Sequence, residues 1–149
     1  MNNDGNDFEK LRDAMNARQA SIANERTCTE QRALDLQRAG HDKLQNIVIP
    51  FVENRMPAAS GAGFSLEYDI QTVPGRPELT TSIKIKLSPA GQPSIIATLS
   101  IHQEGNIFVV QGGPSSKTPW HIKLPVESIV DDSVVGALFS RFMQSVTPN

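Results

Sequence analysis

Phe64-Ser-Leu-Glu-Tyr-Asp-Ile-Gln-Thr-Val73, followed after Pro74-Gly-Arg-Pro77 by a second run from Leu79 to Leu87, decides the fold of this chain. Phe64, Leu66, Tyr68 and Ile70 alternate with Ser65, Glu67, Asp69 and Gln71. A period of two puts each set on its own face of a strand. In the second run Leu79, Thr81, Ile83, Ile85 and Leu87 take one side, and Ser82, Lys84 and Lys86 take the other. Residues 74–77 form a turn, because proline fixes φ and glycine tolerates positive φ. With Tyr68 opposite Ile85, Leu66 meets Leu87 and Ile70 meets Ile83. The same register sets Glu67 opposite Lys86 and Asp69 opposite Lys84, as cross-strand charge pairs. Both faces are satisfied, and a slip of one residue spoils both.

Downstream, Ile95 to His102 reads as a third strand with Ile95, Ala97, Leu99 and Ile101 turned inward. Glu104-Gly105 marks a tight turn into Asn106 to Gln111. A loop of two or of three residues decides whether Phe108 and Val110, or Ile107 and Val109, face the core. Trp120 to Leu124 reads as a short fifth strand. Asp131-Asp132-Ser133 supplies an N-cap and N-terminal carboxylates for a closing helix. Its stripe is Val135, Leu138, Phe139, Phe142 and Val146.

Upstream, a helical stripe runs through Phe8, Leu11, Met15, Ile22, Thr29, Ala33, Leu36, Gly40, Leu44, Ile47/Val48 and Phe51. One straight helix over this span is roughly 65 Å long at 1.5 Å per residue, longer than a domain of this size is wide. The stripe is rich from Ala33 to Val52 and nearly all polar from Ala23 to Arg32. The C-terminal half is therefore expected to lie on the meander and the N-terminal half to extend beyond it. Gly40 either lets the helix approach the sheet closely or ends one helix before His41-Asp42 starts another. The unbroken phase of the stripe favours continuity. Pro50 ends or kinks the helix near Ile49, and Pro57 to Gly63 reads as a flexible connector.

The expected fold is α+β: a long N-terminal helix, a four- to five-stranded antiparallel meander, and a short C-terminal helix packed on the sheet. Its parts are a disordered tail over 1–6, the long helix over 7–56, the connector over 57–63, and the sheet with its closing helix over 64–149. The last forms one domain with the C-terminal half of the long helix. In element order alone this is similar to cystatin-like and double-stranded-RNA-binding architectures, and element order carries no function.

Composition excludes several functions. Over 149 residues, 14 Lys and Arg stand against 16 Asp and Glu. Nothing electrostatic draws the chain to nucleic acid or to an anionic membrane, and the closing helix opens on Asp131-Asp132, which repels phosphate. The polar, acidic start leads to the expectation of no secretory leader, and no apolar run approaches the ~18–20 residues that span a bilayer. Cys28 is the single cysteine, so no internal disulfide forms and the expected location is cytoplasmic.

No cofactor and no metal is expected. His41, His102 and His121 lack metal-ligand spacing. Gly113 to Thr118 looks like a phosphate loop only at its end: Ser116 stands where a glycine precedes the lysine, and Pro119-Trp120 follows where a helix should begin. No catalytic residue is assigned, since Ser115, Ser116 and Ser133 have no positioned base. The function expected is a non-enzymatic protein-interaction module of adaptor, chaperone or inhibitor type. It associates through Phe8, Leu11, Met15 and Ile22 of the N-terminal helix, with itself as a homodimer or with another protein. Phe8, Met15 and Ile22 are seven apart, the spacing of a coiled-coil seam, although Arg18 and Glu25 interrupt its second position. The alternative is a small-ligand binder or enzyme with its pocket between sheet and helices near Trp120 and His121, where His102 could converge.

Overall fold

In the computed structural model, which describes residues 4–146, the chain divides between Asp35 and Leu36 into two units. The tail expected over 1–6 lies, at its first three residues, outside the described residues. Helix α1 (Asp4–Lys43) makes up the first unit and continues into the second. Its polar stretch stays helical although Ser, Asn and Thr compete with helix bonds elsewhere. The Thr27 and Thr29 hydroxyls donate to the carbonyls of Ala23 and Glu25, one turn back, at 3.0 and 2.9 Å. The Gln31 carboxamide donates to the Asp35 carboxylate one turn on, at 2.9 Å.

The second unit holds the rest of α1, a wide π-helical turn over Leu44–Val48, α2 (Ile49–Gly61) and an antiparallel sheet. The sheet is a meander in chain order: β1 (Phe64–Val73), β2 (Arg76–Pro89), β3 (Ala97–Glu104), β4 (Ile107–Pro114) and β5 (Trp120–Pro125). A short 3-10 turn and α3 (Asp132–Val146) close it.

The wide turn sits where Pro50 disturbs the helix. A proline ring clashes with the carbonyl four residues back, here that of Asn46. Widening the preceding turn, with the Ile49 N–H donating to the Leu44 carbonyl, removes the clash without ending the helix. Helix continues through Pro57 as far as Gly61, where a connector over 57–63 is expected. Packing overrides composition there, because Met56 and Ala59 lie against the core.

β1 and β2 pair in the expected register, with Tyr68 opposite Ile85, Leu66 opposite Leu87 and Glu67 opposite Lys86. The exception is a bulge. Gln71 pairs with Ser82 and Thr72 with Thr80, so Thr81 is the extra residue. The buried Thr80, rather than Thr81, meets the helix: its N–H donates to His41 Nδ1 at 2.9 Å and its hydroxyl accepts from Gln45 Nε2 at 2.8 Å. β3 begins at Ala97, so Ile95, expected inward, is left exposed. Glu104 pairs with Ile107, making the next loop two residues long. Gly105 takes φ 61° at its first position, as a type II′ turn needs. That loop turns Phe108 and Val110 into the core, both fully buried.

Leu44, Val48 and Val52 from the helices meet Ile83, Ile85, Leu99 and Ile101 from the sheet, and Val135, Leu138 and Phe142 from α3 complete the core. Phe139 meets Phe51 edge-on at 5.7 Å, joining α3 to α2. Asp131 caps α3, its Oδ1 accepting from the Ser133 N–H at 3.0 Å and from the Ser133 hydroxyl.

Candidate functional site

The apolar residues of the first unit are the plainest departure from an ordinary solvated surface. Phe8, Leu11, Met15 and Ile22 are between 45% and 71% exposed. All four lie on one side of a helix at 100° per residue, within about one-sixth of a turn. Around them the helix is polar. The exposed Cys28 lies on another side of the helix, beside Ala17, Ala20 and Ser21.

The second candidate surface is the outer face of the sheet. Register carries one row of polar residues across all five strands: Asp69, Lys84, Ser100, Gln111 and His121. The next row is Gln71, Ser82, His102, Val109 and Lys123. Short hydroxyl side chains at Ser82 and Ser100 leave a hollow of about 410 Å³ among Asp69, Lys84, His102 and Gln111. Asp69 lies opposite Lys84 but accepts from the ammonium of Lys86, a diagonal neighbour within a lysine's reach.

Trp120 belongs to the other face. It pairs with Gly112, and its half-buried indole lies against the core with the Arg141 guanidinium 4.5 Å from the ring centroid. Gly112 is what admits the ring, because a Cβ there would stand 2.9 Å from both Leu99 and Trp120. The indole N–H is buried and donates to no acceptor among the described residues. His121, the next residue, points the opposite way by strand alternation. The sheet therefore separates Trp120 from His102 and His121. His102 lines the outer hollow, while His121 stands in the neighbouring row with β4 between them.

His41 has a part that its sequence context did not signal, since its ring accepts a backbone N–H at the β2 bulge. Gly40 is a second such position. A Cβ on it would fall inside the Gln103 carboxamide, which donates to the carbonyls of Leu36 and Gly105 at 2.6 and 2.9 Å. Tyr68, the single tyrosine, donates to Glu53 at 2.7 Å, which holds its hydroxyl above the usual phenol value of 10.0. Ser133 bonds hold Asp131 below the ordinary aspartate value of 3.8. Among the described residues no three His, Cys, Asp or Glu side chains gather as a metal site, and no helix is long and apolar enough to cross a membrane.

Comparison with protein-family models, with curated proteins and with solved structures gives no match.

Proposed function

We propose that this chain is a non-enzymatic interaction module that associates with itself, as a homodimer, through the first unit of α1. The single observation behind this reading is the exposure of Phe8, Leu11, Met15 and Ile22 on one side of a helix. Fully burying each such side chain stabilises by roughly 1.5–3 kcal/mol, and here about half of each is left to gain. Association costs an estimated 4–15 kcal/mol, so the contact is expected to be concentration-dependent rather than tight. Arg18 and Glu25, at the second seam position, keep it short. The heptad spacing of Phe8, Met15 and Ile22 favours a coiled-coil pairing. A second protein offering a similar helix is the other partner this surface suits. The lone cysteine fits a cytoplasmic setting.

Light scattering over a concentration series tests it on the full chain. The wild type is expected to move from monomer to dimer mass, and the Met15→Asp, Ile22→Asp double variant to stay monomeric with unchanged thermal unfolding. Undiminished association of the double variant refutes the assignment.

A further inference from the structure

Where α2 and α3 face each other beside β1 and β2, side chains leave a gap. Arg55, Ala58 and Ala59 of α2 and Ala62, the residue that ends it, are spaced i, i+3, i+4, i+7 and line one side. Three of the four are methyl stubs, at positions where longer side chains would close the gap to Phe139 on α3. The result is an apolar slot of about 250 Å³ between these alanines, Phe139, Phe64 and the sheet. Phe64 stands at its rim, 39% exposed. An open apolar slot costs free energy in water, and the alanines along α2 and at its end maintain one here.

Its mouth carries a single cation. The Arg55 guanidinium sits 4.5 Å from the centroid of the Phe51 ring, and Phe51 is itself wedged against Phe139. Among the described residues no carboxylate forms an ion pair with Arg55. The nearby acid, Glu53, is occupied by the Tyr68 hydroxyl. Arg55 is thus held in place by a ring face, which leaves its N–H donors open to an incoming anion. At roughly 30 Å³ for each water-sized unit, the slot has room for about eight such units. We propose that it binds a free, single-chain fatty carboxylate of about eight to ten carbons, the tail along the alanine face and the carboxylate on Arg55. An apolar cleft with one placed polar group is the usual form of a small-molecule site, and the planar guanidinium fork matches a carboxylate.

The test uses the full chain and decanoate, at concentrations where decanoate is monomeric, followed by titration calorimetry. Saturable one-to-one binding is expected. Arg55→Gln should weaken decanoate about tenfold, the worth of a charge-assisted bond, and leave decanol unchanged. Ala58→Leu, at an exposed helical position that leucine suits, should abolish binding of both without lowering the unfolding temperature. Decanoate binding that survives Ala58→Leu overturns the slot as its site. Equal losses for decanoate and decanol in Arg55→Gln overturn the role of the cation. Binding to phosphatidylglycerol vesicles without any to decanoate would make the face a membrane contact and overturn the proposal. So would Ala58→Leu turning a dimer into a monomer in light scattering, since a second copy would then be the occupant.

Discussion

Replacing Gly40 by alanine sets two effects of known size against each other. Alanine in a helix interior is favoured over glycine by about 1 kcal/mol, so helix propensity alone predicts a more stable protein. The new methyl, however, would occupy the space of the Gln103 carboxamide. The end of a long side chain usually swings aside cheaply. Here it is 7% exposed and donates to two backbone carbonyls, at 2.6 and 2.9 Å. Displacing it forfeits both bonds, at roughly 1 kcal/mol each, and leaves an amide without partners in the interior. The sum is a net destabilisation of about 1 kcal/mol for Gly40→Ala. In a Gln103→Ala background the obstacle is gone, and the same change should stabilise by about 1 kcal/mol. The sign therefore reverses, with a coupling of about 2 kcal/mol in a double-mutant cycle. Urea unfolding followed by the fluorescence of Trp120, the single tryptophan, measures all four proteins. Gly40→Ala stabilising both backgrounds equally would refute the close packing of α1 on β3.

Two further predictions concern protons. The single tyrosine makes phenolate absorbance a reporter of Tyr68 alone: its midpoint should lie above 10.0 in the wild type and fall back toward it in Glu53→Gln. A raised folded value means that this contact stabilises fully below the ordinary tyrosine value and is lost as pH rises through the folded one. Asp131 runs the other way. Its folded value is depressed, so its cap stabilises above 3.8 and is lost as pH falls below that. Asp131→Ala should therefore lower the unfolding temperature at neutral pH, and the difference from wild type should shrink in acid. A difference independent of pH would show that the carboxylate is not what caps α3.

The hairpin register was legible because two independent patterns agreed on it. Apolar residues alternate on one face and opposite charges on the other, and only one pairing of 64–73 with 79–87 serves both. The loop after Glu104 was not legible, since β4 is apolar at both parities and the choice lay in a backbone angle at Gly105. The bulge at Thr81 escaped for a related reason: alternation predicts an unbroken strand, and what breaks it is contact with His41 and Gln45, some forty residues away in sequence. Pro50 marked a real disturbance, the wide turn before it, whereas Pro57 marked a connector where the helix runs on to Gly61. Whether the helix survives them depended on core contacts from Met56 and Ala59 that no local window contains.

The same distinction separates the helical stripe from the apolar slot. The stripe from Phe8 to Ile22 is visible in sequence because its residues are large and apolar among polar neighbours. The slot beside Ala58, Ala59 and Ala62 is made by what is missing. Alanine at i, i+1 and i+4 looks like good helix composition. It becomes a cavity only when β1 and α3 fix the distance that those methyl groups fail to span. Adjacent apolar positions show why this is local: Phe51 and Phe139 meet at 5.7 Å about two turns before Ala58, where the same pair of helices is filled. An aromatic side chain at Ala58 would continue that contact and close the slot. The emptiness at 58–62 is thus set by residue size rather than by backbone geometry, and a binding function explains residues that stability alone would enlarge.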